Sequence, residues 1–272
     1  MTEIIGFCNQ KGGVGKTTSA VNVAASIAFL GKKVLLVDID PQCNATSALG
    51  LEKNSLISNS YNLFTHENIP SPVATDLANL DIVPSTTELV GAEIELVSFD
   101  ERETRIKSSL RHYLGRYDFI FVDAPPSLGL LTLNLLTAST SLLIPVQCEY
   151  FALEGLTELL KTIDLVKKRL NPTLSIGGII LTMFDGRNRL SHDVERELRT
   201  HFSEKVFKTV IPRSVRISEA PSHGMPIIVY DHKSRGAQSY LDLSQEILER
   251  YSLQAPGGDT WKEERLVEVL PR

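Results

Sequence analysis

With 272 residues, 42% of them hydrophobic and 22% charged, the chain can bury a sizeable core without staples and is neither low-complexity nor a small disulfide scaffold. Its three cysteines, Cys8, Cys43 and Cys148, show no CxxC and no ligand-type spacing, which argues against a disulfide framework or a zinc site and fits a reducing compartment. A net charge of −5 argues against a surface coated in positive charge but leaves room for a local basic patch.

The first element is the apolar run Ile4–Cys8, a predicted strand; no secretory signal is expected at this end of the chain. A glycine-rich turn follows, Lys11-Gly12-Gly13-Val14-Gly15-Lys16-Thr17-Thr18, and opens the predicted helix Lys16–Leu30. Strand, turn and helix in that order are the context of a phosphate-binding loop. Gly12, Gly13 and Gly15 let the backbone on either side of Val14 curl, so that successive N–H groups face a phosphate, and the helix N-terminus adds a positive dipole end. Lys16 can reach β- and γ-phosphates, and the hydroxyl of Thr17 can hold Mg²⁺, with Thr18 completing the segment. The usual pattern would place its first glycine at Gln10; here an additional lysine, Lys11, stands in the wall of the cradle. Lys16 already serves the nucleotide in its own site, so Lys11 could reach one held by a second subunit.

The next predicted strand, Val34–Asp38, ends in Asp38-Ile39-Asp40-Pro41-Gln42. Leu51–Thr75 is polar and reads as an irregular excursion. Strand Leu80–Pro84 precedes a long predicted helix, Thr87–Tyr113. Strand Phe119–Asp123 is apolar on both faces, as in a parallel strand buried between helix layers, and ends in Asp123-Ala124-Pro125-Pro126. Helix Leu128–Ala138, strand Ser141–Val146, helix Phe151–Leu170, strand Ile176–Met183, helix Arg189–Phe202, strand Val206–Ile211 and helix Gly236–Tyr251 complete the alternation. It predicts an α/β fold: one domain over residues 1–251, with a doubly wound, mostly parallel sheet flanked by helices. The tail, 252–272, opens on the breaker cluster Ala255-Pro256-Gly257-Gly258-Asp259 and is expected to be flexible or a short helix. No apolar stretch reaches the roughly 18–20 residues that span a bilayer.

In an open α/β sheet, ligands sit outside the carboxyl ends of the strands, so both acidic strand ends should converge on the glycine loop. Asp123 is the expected Walker B aspartate for Mg²⁺. Asp38 and Asp40 could support the ion and orient the attacking water.

Together, Lys11–Thr17, Asp38-Ile39-Asp40-Pro41-Gln42, Asp123-Ala124-Pro125-Pro126-Ser127 and Ile211-Pro212-Arg213-Ser214-Val215-Arg216-Ile217-Ser218-Glu219-Ala220-Pro221-Ser222 resemble the ParA/Soj family of DNA-partitioning ATPases with a deviant Walker A loop, over residues 2 to 250. The resemblance implies ATP with Mg²⁺, a sandwich homodimer in the ATP state, and slow hydrolysis that a ParB-like partner stimulates. It gives Lys11 the reach across to the partner's ATP and Asp40 the role needed for hydrolysis. It implies sequence-independent binding of double-stranded DNA, with Arg189 and Arg216, and more loosely Arg187, Lys233 and Arg235, as contacts. Met183, Pro212 and Arg213 would flank the base. The chain looks like the short chromosomal type, cytoplasmic and nucleoid-associated, with no membrane partner expected. A MinD-like division-site regulator shares the loop but should carry a basic amphipathic C-terminal helix. An iron–sulfur electron donor needs cysteines at a dimer seam, and a small-molecule kinase needs an acceptor pocket.

Overall fold

The computed structural model describes residues 2–53 and 58–251; the expected tail, 252–272, lies outside the described residues. The elements run β1 (Glu3–Phe7), α1 (Lys16–Phe29), β2 (Val34–Asp38), α2 (Asn44–Ala48), α3 (Tyr61–Thr65), β3 (Val73–Ala74), β4 (Leu80–Val83), α4 (Leu89–Glu95), α5 (Arg105–Leu110), β5 (Phe119–Asp123), α6 (Leu130–Ala138), β6 (Ser141–Gln147), α7 (Ala152–Arg169), β7 (Ser175–Phe184), α8 (Arg189–Phe202), β8 (Val206–Pro212), α9 (Val215–Glu219), α10 (Ile227–Tyr230) and α11 (Arg235–Arg250). The strands form one sheet in the order β3-β4-β2-β5-β1-β6-β7-β8. Every neighbouring pair is parallel except β3–β4. This is the doubly wound, mostly parallel sheet that the alternation predicts.

The unbroken apolar runs follow from burial on both faces. Along β5, Ile120 and Val122 enter one core with Leu35, Val37, Leu135 and Leu159, while Phe119 and Phe121 enter the opposite core with Phe7, Leu36, Ile27 and Leu241. A strand between two such layers has no solvent face, so it shows no polar alternation. Helix α1 is buried almost all round, and its small residues Ala20, Ala24, Ala25 and Ala28 let the sheet and α11 approach closely.

Two stretches differ from expectation. The predicted helix Thr87–Tyr113 is broken into α4 and α5, and Glu101 between them adopts a left-handed backbone (φ 52°). The cause lies in α6: Asn134 Oδ1 accepts from the Ile106 N–H (3.1 Å), and its Nδ2 donates to the Arg102 carbonyl (2.6 Å). Thr137 donates to the carbonyl of Glu103. These tertiary bonds take backbone groups that a continuous helix would have paired within itself. The excursion Leu51–Thr75 holds α3 and the edge strand β3, antiparallel to β4 with Val73 opposite Ile82.

Candidate nucleotide site

The glycine loop leaves β1 and ends at Gly15, the residue before α1. Gly13 and Gly15 have φ of 75° and 81°, a left-handed conformation that L side chains rarely adopt. No atom lies within 4 Å of a Cβ built at Gly13, so it is the backbone angle that asks for glycine there. Two side chains pin the loop to its neighbours. Thr182 on β7 donates to the Val14 carbonyl (2.8 Å). Asn9 donates to the Pro145 carbonyl on β6 (2.7 Å) and accepts from the Lys11 N–H (3.0 Å).

Lys16 is the first residue of α1, and its Nζ lies 4.0 Å from Asp123 Oδ1, with the lysine side chain 7% exposed. Asp123 ends β5, one strand from the loop, and is fully buried. Burial pushes its carboxyl up to about 6, against the pull of the Lys16 ammonium and the Thr17 hydroxyl. Neither oxygen makes a well-formed hydrogen bond within the protein. A buried carboxylate without well-formed hydrogen bonds is costly unless something else satisfies it. Together with the Thr17 hydroxyl it supplies the oxygen ligands that a hard divalent cation takes, so these residues fit Mg²⁺.

Asp38 lies directly across from Asp123 in the β2–β5 register. It too is fully buried and is pushed up to about 7, first by burial and then by the Asp123 charge. Three donors oppose the shift: Thr46 Oγ1 (2.7 Å), Thr46 N–H (2.9 Å) and Asp40 N–H (3.1 Å). Its acceptor capacity is thus taken up by helix α2, through Thr46, and by the Asp40 N–H. Asp40 is 4% exposed, and its Oδ1 accepts from the Gln42 N–H (2.9 Å).

Lys11 is held in an exposed ion pair. Its Nζ pairs with Glu149 Oε2 at 2.8 Å, the two side chains being 41% and 49% exposed. Glu149 just follows β6, and its other oxygen accepts from Gln147 Nε2 (2.5 Å). Beside the loop, Gly15, Thr18, Met183, Pro212, Arg213 and Tyr240 help to line a cavity of about 360 Å³. The three residues expected to flank the base are therefore brought together beside the phosphate loop. Met183 holds a left-handed backbone (φ 49°), uncommon for a side chain of its size.

The expected DNA contacts fall at the carboxyl end of the β7–β8 edge. Arg187 lies in the turn after β7, Arg189 opens α8, Arg216 is in α9, Lys233 precedes α11 and Arg235 opens it. Arg187 pairs with Asp185 (3.1 Å), Arg189 with Asp193 (3.8 Å), and Arg216 with Glu219 (3.2 Å) and Asp231 (3.4 Å). Arg189 and Arg235 sit at helix N-termini, where a cation opposes the helix dipole and an anion would be favoured.

A family pattern described as an AAA domain matches residues 2–176. The sporulation initiation inhibitor protein Soj of Bacillus subtilis is 56% identical over 249 residues, 91% of this chain and 98% of that protein. The chromosome partitioning protein ParA of Myxococcus xanthus is 51% identical over 93% of this chain and 90% of its own. The chain belongs to the ParA/Soj family of partitioning ATPases. A solved structure described as cobyrinic acid a,c-diamide synthase from Mycobacterium smegmatis, with bound ADP and magnesium, superposes with a TM-score of 0.81 at 33% identity, over 93% of this chain and 96% of that one. This ParA/Soj chain has, among its described residues, no helix long and apolar enough to cross a membrane.

The roles of Glu149, Thr182, Thr46 and Asn9 in the site are not written in their local sequence. Glu149 and Thr182 meet partners far along the chain, Asn9 acts on main-chain groups, and Thr46 is one hydroxyl among several polar residues after Asp40.

Proposed function

We propose that this ParA/Soj chain is a nucleotide switch: an ATPase that dimerises around ATP, binds DNA without sequence preference, and is reset when a ParB-like partner stimulates hydrolysis. The observation that carries the reading is the buried carboxylate of Asp123, facing Lys16 and Thr17 at the foot of the glycine loop with no well-formed hydrogen bond. Lys16 and the loop amides would hold the phosphates, with the base in the cavity by Met183, Pro212 and Arg213. Thr17 and Asp123, with Asp38 behind them, would hold Mg²⁺, which spreads the charge that builds on the phosphate oxygens during transfer. Asp40 would orient the attacking water, and Lys11 would leave Glu149 to reach the partner's triphosphate. Sequence-independent DNA binding through Arg187, Arg189, Arg216, Lys233 and Arg235 would be doubled by dimerisation, as suits a backbone contact governed by counterion release. Such a protein would turn over slowly alone and sit on the nucleoid in the cytoplasm, with residues 1–251 as one ATPase domain.

Light scattering and DNA retention on Asp40→Ala, with ADP and with ATP, test the reading. An ATP-dependent, DNA-retained dimer that fails to hydrolyse ATP is the expected result; a monomer with ATP rejects the switch. The MinD-like alternative predicts ATP-dependent pelleting with liposomes, where this reading predicts none.

A further inference from the structure

Four buried residues close a ring of hydrogen bonds beside the nucleotide site. Asp38 Oδ2 accepts from Thr46 Oγ1 (2.7 Å). Thr46 Oγ1 in turn accepts from the Ser85 N–H (2.8 Å). The Ser85 hydroxyl donates to the Asp40 carbonyl (2.6 Å), and the Asp40 N–H returns to Asp38 Oδ1 (3.1 Å). None of the four is more than 4% exposed. They come from four places in the chain: the end of β2, the loop after it, helix α2 and the segment after β4.

We propose that Thr46 and Ser85 are positioning residues for ATP hydrolysis, acting through Asp40. The ring grips the residue on both sides, by its N–H and by its carbonyl. The Asp40 side chain is then set from within its own turn, because Oδ1 takes the Gln42 N–H at 2.9 Å. Oδ2 is the oxygen left to hold an attacking water, and its direction follows from a main chain held at both its N–H and its carbonyl. A water-orienting group gains from being fixed before the reaction, and an ångström of misplacement can cost two orders of magnitude in rate. Neither Thr46 nor Ser85 is placed to touch the phosphates in this account. Their effect is carried by geometry alone, so it falls on turnover and not on nucleotide binding. The inference rests on the reading of Asp40 given above.

The test is steady-state Mg·ATP hydrolysis by the full chain, with nucleotide affinity and melting temperature measured on the same preparations. Ser85→Ala deletes one hydroxyl and leaves the N–H that bonds Thr46. Thr46→Val removes the hydroxyl at nearly constant volume, and Thr46→Ser keeps it. Expected are a fall in kcat of tenfold or more for Ser85→Ala and Thr46→Val, KM for ATP within about twofold of wild type, and recovery of most of kcat in Thr46→Ser. Wild-type kcat in Ser85→Ala and Thr46→Val, beside an inactive Asp40→Ala, overturns the positioning role alone. A rise in KM matching the fall in kcat, with Thr46→Ser no better than Thr46→Val, also overturns it, because the ring would then only hold the fold together. A fully active Asp40→Ala overturns the water-orienting reading, and the positioning role with it.

Discussion

Asp38 and Asp123 face each other as register partners at the carboxyl ends of β2 and β5, both wholly buried, yet they are provided for differently. Asp38 accepts three hydrogen bonds from within the protein; Asp123 has a lysine 4.0 Å away and no well-formed hydrogen bond. One carboxylate organises a loop while the other is left to be satisfied by what binds.

That contrast has a pH signature. Both carboxyls titrate higher in the fold, at about 7 and about 6, than the ordinary 3.8. Between about pH 4 and 7 the folded protein therefore holds protons that the unfolded chain has lost, and stability falls as pH rises through that window. Thermal melts in EDTA without nucleotide should show the melting temperature dropping from pH 5 to pH 8. Asp123→Asn should flatten the drop and melt higher than wild type at pH 8, while losing Mg-dependent hydrolysis. A mutant that melts below wild type at pH 8 would refute this account of the Asp123 charge.

Lys11→Ala should leave stability within about 1 kcal/mol of wild type, because an exposed ion pair such as Lys11–Glu149 contributes little. ATP binding should largely persist and ATP-dependent dimerisation should be lost. Equilibrium titration with a fluorescent ATP analogue and light scattering separate the two. A mutant that dimerises normally would remove the cross-subunit role.

Arg189→Ala combined with Arg216→Ala should leave dimerisation intact and weaken DNA retention. Every phosphate that is no longer neutralised lowers the slope of log affinity against log salt by about 0.9, and in a dimer each arginine counts twice. Filter retention across a salt series reads the slope directly, and an unchanged slope moves the DNA surface elsewhere.

Asn134→Ala should cost about 1–3 kcal/mol, since it strips a buried partner from both the Ile106 N–H and the Arg102 carbonyl. Urea unfolding measures it. A neutral substitution would mean that the break between α4 and α5 has another cause.

The same asparagine explains where reading from the sequence stops. Strands such as Phe119–Asp123 were legible because burial on both faces writes itself as an unbroken apolar run. The glycine loop was legible because its chemistry is local, packed into a few consecutive residues. Thr87–Tyr113 reads as one helix because no proline interrupts it; α6 takes up the backbone groups freed at the interruption. Likewise, the partner of Lys11 lies 138 residues away and arrives only because β6 is laid beside β1. Ser85 and Thr182 are ordinary hydroxyls until the sheet order sets them against Asp40 and Val14, and Thr46 until the turn after β2 brings it back to Asp38.

The pairing of Lys11 with Glu149 also bears on timing. Side chains as exposed as these exchange rotamers in picoseconds to nanoseconds, so a single surface contact is a brief resting place and no lock. In the proposed cycle, freeing the lysine is then never the slow event. The onset of assembly should be set by how often two ATP-loaded chains collide, and its rate should climb with protein concentration. Assembly in the proposed cycle would then need no separate release mechanism for the arm.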